Sequence, residues 1–338
     1  MLTPLHKLIV LGTACLLLAI ASCKKDNNDV PALTGKYRVV AYPGDDTVPQ
    51  YYLFNDDKTY TVLSQNNQGV KRVDKGVYTY KDPSLVLSSY YNAYVVRHSG
   101  DTIKLVSNPS AGDDSHIVLI KDNNAPAATD WVQRVNVTNR IPVPDIQPTA
   151  FTVLAGKFFT TDEYNPQIRR YNTANGQLLP ALTTAANYYG ITTISSSLWG
   201  MTVSGKLNRL DPATGNVVFS ASGTINGYDV IAGTGTSIYC FNAGSGNMRE
   251  YDVIGDVFSA QRSLQTDVRD VVYKGGYLYL ANYRYIYKVD PASLRVVKSY
   301  TMDEEDGISG FGSDGTDFWV YVNDQLDAPG YFGKITLD

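Results

Sequence analysis

Histidine is absent from residues 130–338, and this decides which chemistry that stretch can perform. The chain holds three histidines, His6, His98 and His116. Without imidazole the second half has no Ser-His-Asp triad, no histidine general base and no histidine ligand for zinc or haem. Carboxylate, tyrosine, arginine and asparagine chemistry is what remains. These types recur at turns: Tyr188, Tyr189, Tyr228, Asp229, Arg269 and Asp270 in one set, and Asp162, Glu163, Asn242, Asn282, Tyr283, Arg284, Asn323, Asp324 and Asp327 in another. Asp229 and Asp270 are the candidate acids or bases of a carboxylate-dependent lyase, lactonase or cyclotransferase. The tyrosines, arginines and asparagines are alternatively the stacking and hydrogen-bonding groups of a site for a sugar or a small organic ligand. Asp162, Asn242, Asn282 and Asn323 also suit Asx turns that close strands whatever the protein does.

Metal and thiol chemistry have few residues to use. Asp303, Glu304, Glu305 and Asp306 supply enough oxygens for Ca²⁺, but they lack the alternating acidic spacing of an EF-hand loop, and a solvated acidic loop is the simpler reading. No cofactor is expected, with Ca²⁺ the one candidate left open. Cys240 lies in Ser237-Ile238-Tyr239-Cys240-Phe241, a strand pattern that makes it a small buried hydrophobe. Lys plus Arg total 29 against 33 Asp plus Glu, net −4, with no basic run longer than two residues. Nucleic acid is therefore not an expected partner.

The elements that must position these groups are strands. The chain has 28 Gly and 26 Tyr and only 18% charged residues, a composition that suits strands joined by tight turns. Residues 131–338 repeat. Arg170-Tyr171-Asn172-Thr173, Arg209-Leu210-Asp211-Pro212, Glu250-Tyr251-Asp252-Val253 and Lys288-Val289-Asp290-Pro291 recur at spacings of 39, 41 and 38 residues, with Gly333–Asp338 a truncated fifth copy. Four strands per roughly 40 residues is a propeller blade. Inner strands are expected near Ala150, Gly190, Asp229, Asp270 and Gly310, giving five blades. The fifth stops after three strands, so residues 134–143 are expected to supply its outer strand and close the ring. Six blades is the alternative, if residues 133–146 form a degenerate extra blade. Sixteen of the tyrosines fall in this half, and packing between blades explains most of them.

Residues 32–122 read instead as a meander of short strands at 36–40, 51–54, 59–64, 76–80, 93–97, 102–106 and 116–120, with turns at 55–58 and 99–101. That pattern indicates a small antiparallel sheet or barrel. His98 and His116 fall on separate strands there, where structural roles are expected. Residues 123–130, polar, small and Pro-containing, are assigned as a linker.

Three resemblances sharpen this reading. Lys7, the apolar run 8–20 and Ile20-Ala21-Ser22-Cys23 resemble the signal peptide and lipobox of bacterial lipoproteins, which implies cleavage after residue 22 and acylation of Cys23 with chains such as palmitate. Residues 23–31 are then a polar tether, and Lys24-Lys25-Asp26 resembles the export tag of surface-displayed lipoproteins. Leu33-Thr34-Gly35-Lys36-Tyr37, the segment Phe54–Tyr60 and Gly76-Val77-Tyr78-Thr79-Tyr80 resemble small lipocalin-like domains, although Tyr37 stands where such domains carry Trp. The Asp-Pro-Ala-Thr-Gly turns resemble those of bacterial propellers with quinoprotein-like and lactonase-like repeats, and Asp306–Thr316 resembles the Gly-rich inner-strand segment of propeller glutaminyl cyclases without their Trp-rich context.

The fold class expected is all-β, a lipocalin-like barrel followed by a five-bladed propeller. The function expected is that of a binding protein lipid-anchored in a bacterial outer membrane, on its periplasmic or cell-surface face. Its propeller captures a carbohydrate or small organic ligand and serves an outer-membrane transporter. A carboxylate-dependent propeller enzyme and a scaffold of an envelope assembly are the alternatives.

Overall fold

A computed structural model describes residues 33–42, 48–88, 92–107, 116–143, 148–162, 164–302, 307–323 and 330–338. The signal segment, Cys23 and its tether, Glu163, the acidic run 303–306, and Asp324 and Asp327 lie outside the described residues.

Eight antiparallel strands close into a barrel: Gly35–Ala41, Val48–Phe54, Thr59–Gln65, Lys71–Lys81, Ser84–Leu87, Asn92–Ser99, Thr102–Ser107 and His116–Lys121, each pairing with the next and the last with the first. Alternation along the strands points Tyr37, Tyr52, Phe54, Tyr60, Tyr78, Leu105 and Leu119 inward. An eight-stranded barrel has room for little more than such side chains. Phe54 stacks on Tyr52 at 6.0 Å and meets Tyr78 edge-on at 5.2 Å, so aromatic rings fill the interior. The turn at 55–58 forms as its residues dictate, with Asp57 Oδ1 accepting the Thr59 N–H at 2.9 Å. Ser84–Leu87 is the one barrel strand without a counterpart in the sequence reading; four residues are too few to show a period.

The propeller has five blades. The first spans strands from Phe151 to Thr183, the second Tyr188 to Ser220, the third Val230 to Ser263 and the fourth Asp270 to Thr301, each an antiparallel sheet in chain order from the axis outward. The fifth consists of Gly307–Ser313, Phe318–Asn323 and Tyr331–Ile335, and its outer strand is Thr138–Pro142. The ring is thus closed by the segment that precedes the first blade. A sixth blade does not form. Residues 133–146, the candidate extra blade, divide their described strands between two existing sheets, with Gln133–Arg134 running parallel to the fourth blade's outer strand and Thr138–Pro142 antiparallel on the fifth. Among the described residues, no helix is long and apolar enough to cross a membrane.

Aromatic packing seals the closing seam. Phe332 stacks on Phe158 at 4.0 Å and lies 5.3 Å from both Phe151 and Tyr321, while Trp319 meets Phe158 at 4.9 Å. Phe332→Ala should therefore cost about 3–5 kcal/mol in urea denaturation, a truncation cost typical of a fully buried phenylalanine. A loss of under about 1 kcal/mol would mean that the seam does not hold the ring shut.

Barrel and propeller are packed together. The turn between Thr59–Gln65 and Lys71–Lys81 inserts Val70, 0% exposed, into the apolar core shared by the third and fourth blades. Gln68 accepts the Val296 N–H at 2.8 Å through its carbonyl, and its Nε2 donates to the Ser263 carbonyl at 2.7 Å. Tyr285 Oη accepts the Val73 N–H at 2.9 Å and donates to the Val73 carbonyl at 2.8 Å. Residues 123–130 connect the two halves; Ala125 is buried against Leu53 and Leu63 of the barrel, and Ala128–Trp131 form a helical turn.

Candidate functional site

Strand alternation puts the loops before the inner strands and the loops after the second strands on one face of the propeller. There the second and third strands of the fourth blade are joined by a two-residue turn. Asn282 pairs with Tyr285, leaving Tyr283 and Arg284 as a two-residue hairpin loop, with Tyr283 at φ 38°. Such turns favour Asn-Gly because the left-handed region costs a residue with a Cβ roughly 1–2 kcal/mol. A tyrosine here is the wrong residue for stability. Its ring has the Arg269 guanidinium 5.5 Å and the Arg284 guanidinium 5.8 Å from its centroid, and both arginines are exposed. The ring edge rests on Gly307, where a Cβ would stand 2.6 Å from Tyr283 Cε2. The Tyr283 carbonyl accepts the Ile308 N–H at 2.6 Å, so the loop is tied to the fifth blade's inner strand.

Beneath this cluster lies Asp270, the most buried carboxylate described, 1% exposed at the start of the fourth blade's inner strand. Its oxygens accept the N–H groups of Val271 at 2.9 Å, Phe311 at 2.8 Å, and Phe151. Those donors belong to the inner strands of the fourth, fifth and first blades, so one side chain ties three blades across the axis. Burial pushes its carboxyl up to about 8 despite the three N–H groups that favour the anion. Asp229, half-buried at the matching position of the third blade, accepts the Ala243 N–H at 2.8 Å, and burial raises its carboxyl as well.

The remaining candidates separate by burial. Tyr188 is 2% exposed, its hydroxyl accepting from Asn208 Nδ2 at 3.0 Å and its ring against Gly200; it is an interior side chain. Tyr228 is 8% exposed and donates to Gln261 Oε1 at 3.0 Å. Tyr189 is half-buried, and its carbonyl faces Thr161 Oγ1 at 3.4 Å. Asn242 caps its turn, with Oδ1 accepting Ser245 N–H at 2.8 Å and Nδ2 donating to the Gly227 carbonyl. Asp162 does the same for Tyr164 N–H at 2.9 Å. Asn282 and Asn323, half-buried, end the second strands of the fourth and fifth blades, the blades to which Tyr283 is tied. The structure thus gathers Arg269, Asn282, Tyr283, Arg284 and Asn323 at one side of the face. Residue type does not rank Tyr283 above Tyr188, since both are tyrosines at the edge of a repeat; what sets Tyr283 apart is its place in a two-residue loop, which the pairing of Asn282 with Tyr285 reveals. Among the described residues, no three His, Cys, Asp or Glu side chains gather as a metal site. Cys240 is fully buried, which pushes its thiol pKa up.

No family model and no curated protein matches the chain. Solved structures do. A glutaminyl cyclase of Myxococcus xanthus shares 12% identity over 61% of this chain and 97% of its own, with a TM-score of 0.51. A hydrazine synthase of Kuenenia stuttgartiensis shares 13% over 55% of this chain and 57% of its own, with a TM-score of 0.37. At such identities the first likeness is one of propeller fold.

Proposed function

We propose that this chain is a binding protein, lipid-anchored in a bacterial outer membrane through Cys23, whose propeller face captures a carbohydrate or small organic ligand for an outer-membrane transporter. The observation that carries the binding reading is Tyr283, held in a left-handed backbone conformation between two exposed guanidiniums at the rim of the face. Departures from local stability rules concentrate at functional sites, and a half-buried aromatic ring flanked by exposed arginines is a stacking platform for a planar or ring-shaped ligand. The anchor rests on the lipobox resemblance of residues 20–23. Two or three acyl chains, at about 0.8 kcal/mol per buried CH₂, are enough to hold a protein at a membrane.

Capture rather than turnover fits the two carboxylates. Asp270 is enclosed by three backbone donors, and Asp229 is engaged by Ala243. The test is a thermal-shift panel of mono- and oligosaccharides and small organic acids against the full chain in mild detergent. One class should raise the melting temperature, and Tyr283→Asn should reduce that response at least tenfold in affinity. Asn is favoured in the left-handed turn, so this variant should keep its stability within about 1 kcal/mol. A loss of several kcal/mol would show the ring to be part of the core, and a panel without a response would remove the capture reading. For the anchor, Cys23→Ala should move the protein from the membrane fraction to the soluble one; retention in membranes would refute lipidation.

A further inference from the structure

The groups that the fold leaves unpaired on the propeller face carry a charge and a hydrogen-bonding pattern. Asn242 follows the second strand of the third blade, and Asn282 and Asn323 end the second strands of the fourth and fifth, so the repeat gives the three matching positions. Asn242 is taken up by its own turn, which its amide caps through the Ser245 N–H and the Gly227 carbonyl. The fourth blade has only Tyr283 and Arg284 between its paired strands, so Asn282 has no such turn to cap. Among the described residues, neither Asn282 nor Asn323 makes a side-chain hydrogen bond, although both are half-buried. Each amide therefore keeps its donors and its acceptor for a ligand.

The cations beside them are unpaired as well. Arg269 and Arg284 hold their guanidiniums 5.5 and 5.8 Å from the Tyr283 ring centroid, and neither makes an ion pair or a side-chain hydrogen bond among the described residues. The carboxylate next in the chain does not serve as a counter-ion. Asp270 is buried, and its oxygens are occupied by the N–H groups of Val271, Phe311 and Phe151. On the first blade, by contrast, Arg169 lies 3.5 Å from Asp162. Two like charges gathered at one ring repel each other, which fold stability does not call for, and an anion bound by both reverses the sign of that interaction. A guanidinium also matches the flat, two-oxygen edge of a carboxylate.

On the reading that this face captures a ligand, we propose that the ligand is an acidic saccharide. Arg269 and Arg284 hold its carboxylate, Tyr283 packs against its ring, and Asn282 and Asn323 bond its hydroxyls. A sugar acid suits the site better than a small aliphatic acid, because the free amides need hydroxyl partners and the phenol ring offers a flat apolar surface.

Calorimetric titration of the full chain in mild detergent tests the charge directly. The probes are trigalacturonate, trimannuronate and a hyaluronan tetrasaccharide, each as the free acid and as its methyl ester, with acetate as a charge that lacks a ring. At least one acid should bind saturably and at least tenfold more tightly than its ester or acetate. Raising NaCl from about 50 to about 500 mM should weaken the acid several-fold and leave the ester within twofold, because both guanidiniums are exposed. Arg269→Gln and Arg284→Gln should each weaken the acid at least tenfold without changing the melting temperature or the affinity for the ester, whereas Asn282→Ala should weaken acid and ester alike. Equal binding of acid and ester, or undiminished binding of the acid in both arginine variants, would overturn the charge assignment and leave capture at the face standing. If no acid saturates up to about 5 mM while a neutral sugar of the thermal-shift panel binds, the charge assignment falls alone; if neither binds, the capture reading falls with it.

Discussion

Stability of the protein should fall as pH rises from 5 to 8, and Asp270→Asn should remove most of that slope. The folded state holds the Asp270 carboxyl at about 8, against 3.8 for an ordinary aspartate, because burial disfavours the anion. Between those values the folded chain carries a proton that the unfolded chain has released, so each unit of rising pH favours unfolding by up to about 1.4 kcal/mol. Below the lower value both states are protonated, and above the upper one both are ionised, so the slope is confined to this window. Asp229, also raised by burial, acts in the same direction. The carboxylates of Asp162, Asp256, Asp290 and Asp314 are lowered by hydrogen bonds or charges, and their stabilisation is lost only as pH drops below about 4. Urea midpoints at pH 5, 6, 7 and 8 would resolve the effect. Asn cannot accept N–H groups on both side-chain termini, so the variant should be less stable than the natural chain at pH 5 and should close the gap toward pH 8. A flat or rising profile in the natural chain, or an unchanged slope in the variant, would show that Asp270 does not titrate in this way.

Much of the fold was legible because its signals repeat. Tyr171, Leu210, Tyr251 and Val289 occupy the same register in four blades, and a position read four times outweighs the ambiguity of any one strand. The closing strand was legible because a fifth blade with three strands needs an outer edge and residues 134–143 have the pattern of one; the pairing of Thr138–Pro142 with Tyr331–Ile335 decides it against an extra blade over 133–146. The site was much less legible. Asp229 and Asp270 occupy equivalent positions in consecutive blades, yet one is half-buried and engaged by its own blade while the other reaches across the axis to two more. Repeat spacing carries the register of a residue but not its distance from the axis. Tyr188 and Tyr283 differ for the same reason: the ring of Tyr188 fits against Gly200, a contact between strands that spacing cannot reveal. The junction was least legible of all, because Val70 is a single apolar residue after the polar turn Asn66-Asn67-Gln68-Gly69 and belongs to no period.

That residue governs the second large effect. Val70→Asp should destabilise the chain by roughly 3–5 kcal/mol and detach the barrel from the propeller. Val70 is 0% exposed among Val230, Phe241, Leu264, Leu278 and Leu294, so a carboxylate placed there must either lose its hydration or leave the core. Withdrawal of the turn would break Val296–Gln68 and free Val73 from Tyr285, leaving residues 123–130 to carry the connection between the two halves alone. Limited proteolysis provides the readout. The natural chain should resist cleavage between residues 122 and 128, whereas Val70→Asp should be cut there and release a barrel fragment and a propeller fragment. Tyr285→Phe supplies an intermediate case: it leaves the Val73 N–H and carbonyl without their shared partner, for a loss of about 1–3 kcal/mol, and should raise the cleavage rate without separating the halves. Equal protease resistance in all three chains would show that the inserted turn is not what joins them.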